Sequence, residues 1–200
     1  MKIIKTMKTL STYLVVISTI LISCSTDQKN NSENSNIISD DLHFTFKTPD
    51  WERKINCQDL DFFPEKVNDS TSMIYAESLS TKVTFYFTYP RDSSKIVKTN
   101  FLKKHKIMTP RANSEPFQFS QKLPIDANTQ DYMNKLISLE GISETEYNQI
   151  SEIKYLKSEI DYALFKIKCN YEMNAYSNLS PTIIKPITGN FTFIIRTTKK

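Results

Sequence analysis

The sequence predicts an α+β fold: an antiparallel β-sheet with two or three helices packed on one face, set behind an N-terminal signal peptide and a flexible tether. Apolar residues recur chiefly with period two, as in Val83, Phe85, Phe87 and Tyr89, which is the pattern of half-buried strands. Two stretches, residues 93–107 and 129–139, carry helix-like spacing between the strand-like blocks. The first 23 residues have the composition of an export signal instead of a folded element.

Residues 1–14 carry Lys2, Lys5 and Lys8 with no acidic residue and lead into the apolar run "LVVISTILI", residues 14–22. The uncharged part, residues 9–23, is shorter than the ~20 residues that a membrane-spanning helix needs, so a cleaved signal is expected over a permanent span. The run ends Leu21-Ile22-Ser23-Cys24, where an ordinary secretory signal would end in small residues. These four residues resemble the lipobox of bacterial lipoproteins. The resemblance implies that the Cys24 thiol receives a diacylglycerol, that the signal is cut just before it, and that the new amino group is acylated, with palmitate-type chains. Two or three acyl chains anchor stably, since each buried methylene contributes about 0.8 kcal/mol and one chain alone is marginal. A protein of the bacterial cell envelope, held to the membrane through its N-terminal lipid, follows from the resemblance.

Residues 25–40, "STDQKNNSENSNIISD", lack aromatics and are poor in apolar side chains, so residues 24–40 read as a lipidated cysteine and flexible tether. A coil of that length has an r.m.s. reach of roughly 20–25 Å. Residues 41–200 remain as one globular domain, large enough to bury a core. The formal charge of +4 is mostly the signal's: without Lys2, Lys5 and Lys8 the chain carries 23 basic against 22 acidic side chains. Nothing in that balance calls for a nucleic-acid partner.

Within the domain, Leu42, Phe44 and Phe46 alternate with polar residues, and residues 55–58 and 73–77 are weaker strand candidates. Residues 83–89 form a strong one. A first helix is expected over residues 93–107, capped by Asp92 or Ser93, with Val97, Phe101 and Met108 as its stripe and Ile96 and Leu102 beside it. Its other face is basic: Lys95, Lys98, Lys103, Lys104 and Lys106, with His105 among them. A long loop with Pro110, Pro116 and Pro124 follows, holding one edge strand at residues 117–120. The second helix, residues 129–139, ends before Gly141 as a left-handed terminator, and Ser143 and Glu146 have capping-box spacing for a short third helix. Residues 153–157, 162–173 and 190–197 complete the strands; Ala163, Phe165, Ile167, Cys169, Tyr171 and Met173 share one face. The segment "FTFKTPDW", residues 44–51, resembles the opening of PsbP/Mog1-like domains.

Chemistry is constrained by a shortage, because Gly141 and Gly189 are the two glycines of the chain. Phosphate-cradling loops, dinucleotide fingerprints and nucleophile elbows need several, so no cofactor is expected. His43 and His105 have no cysteine or carboxylate at metal-ligand spacing, and both read as exposed. Asp59, Asp61 and Glu65 in "CQDLDFFPE" could offer oxygens to calcium but lack the turn glycine of an EF-hand, so a solvated acidic loop is expected. Cys57 and Cys169 are the even pair left once Cys24 is lipidated. They form either a disulfide, worth up to about 4.7 kcal/mol for so long a loop, or two buried thiols. The lysine face at Lys95, Lys98, Lys103, Lys104 and Lys106 could meet anionic headgroups or a partner. Tyr86 and Tyr162 lie on polar strand faces and could line a glycan- or protein-binding surface.

The expected function is therefore a non-catalytic binding or accessory module of the envelope, with a protein, glycan or envelope component as ligand, an immunity-type role included. Two other readings stand beside it: an envelope hydrolase built on scattered carboxylates or Cys57, and a membrane-surface assembly or stress factor acting through the basic helix 93–107. No catalytic, metal or cofactor-binding residue is assigned.

Overall fold

The computed structural model describes residues 42–97, 102–128 and 133–199. The chain forms β1 (His43–Lys47), β2 (Glu52–Asn56), a 3₁₀ turn (Cys57–Asp59), β3 (Asp61–Lys66), β4 (Thr71–Ser78), β5 (Val83–Pro90) and α1 (Ser93–Val97). Then come β6 (Lys104–His105), β7 (Phe119–Pro124), β8 (Lys135–Ser138), β9 (Tyr147–Ser158), β10 (Tyr162–Ser177) and β11 (Ile184–Thr198). Strand accounts for 60% and helix for 5%, so the α+β expectation is replaced by one curled antiparallel half-barrel.

The strand order is β2-β1-β11-β10-β8-β7-β5-β4-β3. The sheet forks at β10: one edge pairs with β11 along its whole length, while the other takes β9 over Ala163 to Glu172 and β8 over Ala175 to Ser177. Two register shifts in the β9–β10 ladder bend this branch, and β6 extends it from β9. Ile107 stitches the two branches. It exchanges backbone hydrogen bonds with Gly141 at 2.9 and 3.0 Å, and the next residue, Met108, donates to Phe119 O at 2.8 Å.

Curling brings β4 and β5 over β1 and β11, and the enclosed space is filled with phenylalanine. Phe85 stacks on Phe44 at 4.7 Å and on Phe193 at 4.9 Å, and Phe119 stacks on Phe191 at 5.1 Å. Phe44, Phe46, Phe85, Phe87, Phe119, Phe165, Phe191 and Phe193 are all fully buried, each burial contributing about 2–3 kcal/mol. Alternation fixes the register, because a one-residue slip would turn a whole set of these rings to water. Gly189 sits inside β11, with φ in the ordinary range, and is there for closeness. A Cβ on it would lie 2.2 Å from Thr45 O and 2.4 Å from the Tyr171 hydroxyl, which donates to Thr45 O at 2.8 Å.

The first expected helix stops after Val97 in the described chain; residues 98–101, with Lys98, Phe101 of the expected stripe and the middle of the expected lysine face, lie outside the described residues. Ile96 does pack into the core, but Leu102 has φ of 62° and is exposed. Lys104 and His105 pair with Gln149 and Asn148 in β6. At residues 104–105 sheet pairing has overridden the helical spacing. The second helix is overturned in the same way. Residues 129–132 lie outside the description, and residues 135–138 are β8, with Leu136 and Ser138 fully buried between β7 and β10. Gly141 is a bridge residue, not a left-handed cap, and residues 143–146 form a turn closed by Ser143 N–H donating to Glu146 O at 2.9 Å. The edge strand expected at residues 117–120 is β7, an interior strand between β5 and β8.

Candidate functional site

The outer face of β3, β4 and β5 carries a row of rings. Register sets Phe63 opposite Tyr75 and Tyr75 opposite Tyr86, so three side chains from three strands stack in line. Centroid separations are 5.4 Å for Phe63–Tyr75 and 5.1 Å for Tyr75–Tyr86, with near-parallel planes. Exposure is graded along the row: Phe63, on the terminal strand, is 44% exposed, Tyr75 is half-buried, and Tyr86 is buried at 3%.

What buries Tyr86 is the long loop, residues 109–118, folded back onto this face. Arg111, held at φ 69°, lies beside the Tyr86 hydroxyl. That contact, with the nearby Glu65, favours the guanidinium's charged form. A left-handed arginine costs backbone energy, and the loop's anchors hold it there. Thr88 exchanges backbone hydrogen bonds with Phe117 and Gln118, Gln118 Oε1 accepts from Ser114 and Glu115 N–H at 2.7 and 3.0 Å, and Ser120 Oγ donates to Asn113 Oδ1 at 2.7 Å. Thr88, Asn113, Gln118 and Ser120 are all buried, so the loop is clamped and Arg111 is held beside Tyr86.

Carboxylates border the row. Asp61 and Glu65 flank Phe63 on the same face of β3, and Glu77 accepts a hydrogen bond from the Tyr75 hydroxyl. Burial first, and the Glu77 contact second, push the Tyr75 hydroxyl's pKa up, so this phenol stays neutral and donating. The arrangement offers a flat aromatic strip with hydrogen-bonding ends, an acidic border and one arginine. Asp61 and Glu65 are four strand residues apart, about 13 Å, and among the described residues no group of three or more histidine, cysteine or acidic side chains could hold a metal ion.

The other residues singled out from the sequence fall elsewhere. Cys24 lies outside the described residues. Cys57 and Cys169 are both buried thiols, not joined to each other. Cys57 Sγ contacts Thr192 O at 3.8 Å, and burial raises the Cys169 thiol's pKa well above its ordinary range. Lys95 and Lys103 are exposed, Lys104 pairs with Glu144 at 2.6 Å and lies over the Tyr147 ring, and Lys106 pairs with Glu140. They sit on a short helix, a connection and β6, so among the described residues they do not share one helical face. His43 Nε2 is 2.7 Å from Asn190 Oδ1. His105, expected to be exposed, packs on Phe117 with Nε2 buried and no partner at that atom. Tyr162 is covered by the Arg196 guanidinium, 3.9 Å above its ring.

A second feature is a polar cleft of about 560 Å³ lined by Asn68, Asp69, Ser70, Arg91, Asp92, Lys95 and Thr198. Its two cations face two carboxylates, and Lys66 holds Asp69 at 2.6 Å. That balance favours no ligand charge. Among the described residues no helix is long and apolar enough to cross a membrane. The chain matches no protein-family model, no curated protein and no solved structure.

Proposed function

We propose that this chain is a lipid-anchored protein of the bacterial envelope and acts as a non-catalytic binding module for another envelope protein. The signal-like N-terminus ending in Cys24 supports the anchoring. The single observation that carries the binding role is the ring row Phe63–Tyr75–Tyr86 on an outward sheet face, with Arg111 held beside its inner end. Aromatic and arginine side chains are the residues that concentrate binding energy at interfaces. A flat strip suits a macromolecular surface better than a small molecule, which needs a concave site. The acidic border of Asp61, Glu65 and Glu77 favours a partner that presents lysine or arginine around an apolar contact.

The test is a photo-crosslinking residue at position 63 in cells producing the full chain, with position 166 on a β10 outward face as control. One discrete adduct from position 63, lost in Tyr75→Ala, is the expected result. No adduct, or the same adducts from both positions, refutes the role.

A further inference from the structure

We propose that the loop at residues 109–118 is a hinged cover, closed on Tyr86 in the free chain and displaced when the partner docks, so that the partner meets three rings where the free chain shows two. This rests on the binding role proposed above and adds its regulation. The loop is built to lift without disturbing the sheet, because its two ends are joined below it. Met108 N–H donates to Phe119 O at 2.8 Å, and Met108 O accepts from Ser138 Oγ at 2.7 Å. Ten residues between ends so close make an Ω-loop. Its ties to the ring face run through few groups. Register sets Ser120 opposite Tyr86, and the Ser120 Oγ bond brings Asn113 down beside that ring. Asn68 Nδ2 donates to Ser114 O at 3.1 Å, and Thr88 Oγ1 to Glu115 O at 2.5 Å.

Forces that oppose closure gather in this one place. Arg111 and Phe117 have φ of 69° and 68°, so two of the four left-handed non-glycine residues among those described stand in this loop. For a ring as bulky as Phe117 that backbone is an outlier. It is kept by Asn148 Nδ2, which donates to Phe117 O at 2.8 Å, and by Phe117 N–H donating to Thr88 O at 2.8 Å. In and under the loop, three buried polar atoms have no hydrogen-bond partner among the described residues: Asn113 Nδ2, Asn148 Oδ1 and His105 Nε2. The His105 ring packs against Phe117 at 5.1 Å, and register sets His105 opposite Asn148, so both stand on one side of β6 and β9.

Each orphaned atom bears its desolvation cost while the loop is closed. When the loop lifts and Phe117 leaves with it, all three regain water, and Arg111 and Phe117 relax. Against this stand the ties and the burial of the Phe117 ring, and they win in the free chain. The margin is narrower than in the sheet, where the ladders carry no such costs, so the loop opens on its own before the barrel does. Opening exposes Tyr86 in line with Tyr75 and Phe63.

The test is nitration of the full chain by tetranitromethane in detergent, read at each tyrosine by mass spectrometry. Tyr86, Tyr89 and Tyr171 are buried alike, at 3%, 3% and 2%, but Tyr89 and Tyr171 belong to the core and Tyr86 lies under the loop. Tyr86 should nitrate at least about tenfold faster than the other two. Ser120→Ala, which removes one tie, should speed Tyr86 by about fivefold and leave the core pair unchanged. A short bis-maleimide joining Asp69→Cys to Ser114→Cys, next to the Asn68 contact, should slow Tyr86 toward the core pair. Equal rates at the three tyrosines, or a Tyr86 rate that neither change moves, overturns the proposal. The link to the partner is read with the photo-crosslinker at position 63. Ser120→Ala should raise the adduct yield, and an unchanged yield beside faster nitration overturns the gating. No adduct from either chain refutes the binding role itself, and the nitration rates then decide the cover alone.

Discussion

Gly189→Ala tests how the two walls of the core are joined. The added methyl would sit 2.2 Å from Thr45 O, 2.4 Å from the Tyr171 hydroxyl and 2.5 Å from the ring carbon bearing it. The first of these is backbone, in a β1 strand that pairs with β2 on its far side, so the strain cannot be relieved by a rotamer change. Overpacking costs about 1–3 kcal/mol. Displacing the Tyr171 hydroxyl also breaks its 2.8 Å bond to Thr45 O, and leaving that buried pair unmade costs about 1–3 kcal/mol more. The sum, about 2–6 kcal/mol, corresponds to a fall in Tm of roughly 4–24 °C for a domain of this size. Urea denaturation of native, Gly189→Ala, Tyr171→Phe and the double variant measures it. Tyr171→Phe alone should cost about 1 kcal/mol, and the double variant should be more stable than the two single effects added, because one of the clashing atoms is gone. A Gly189→Ala protein within about 0.5 kcal/mol of native would refute the packing argument, since surface-like changes stay within that range.

Other outcomes follow from particular contacts. Burial, and behind it the charge of Lys103, hold His105 at about 4 against 6.5. The unfolded chain therefore binds more protons between these values: stability is full above about pH 6.5 and falls as pH drops toward 4, by about 2 kcal/mol after allowing for solvent reaching part of the ring. His105→Phe should remove that part of the acid slope in pH-dependent urea titrations; an unchanged slope would sink the assignment. Phe85→Ala, at the centre of the ring stack, should cost about 3–5 kcal/mol by the same denaturation assay, and a loss under 1 kcal/mol would mean the stack is not the core. Cys57 and Cys169 should be silent to a thiol reagent in the folded chain and should both react on unfolding without reductant; no reaction there would mean a disulfide. In cells, Cys24→Ala should accumulate as unprocessed chain without lipid mass, and normal processing would contradict the lipobox reading.

The strands were largely legible because period two survives in any strand with one dry face. Residues 83–89 and 162–173 lie within β5 and β10, and the face assigned to Cys169 is the buried one. The helices were misread where short strands offer too few residues for two periods to differ: in Lys104–His105 and Lys135–Ser138 the deciding partners, Gln149 and Leu123 among them, are remote in sequence. β3 was taken for an acidic loop because Asp61, Pro64 and Glu65 are poor strand formers, although Phe62 already alternates inward to Phe85 and Phe193. Of the candidate site, the sequence marked Tyr86 among the rings, and Asp61 and Glu65 only as part of an acidic loop. Phe63 and Tyr75 become its neighbours only through strand order, and Arg111 only through a loop whose left-handed backbone no local pattern announces.

Among the described residues the half-barrel does not close, and β2 and β3 stand at the two ends of its main strand order with no further strand paired outside them. On the anchored reading proposed above, such edges would meet at high local concentration in two dimensions and could zip copies together. β3 meets this with Pro64, which has no N–H to offer an incoming strand, and with Asp61, Glu65 and Lys66 around it; β2 presents Glu52, Arg53 and Lys54 along its five residues. The sequence features that disguised β3 as a loop are thus ones that oppose pairing of a further strand along its edge.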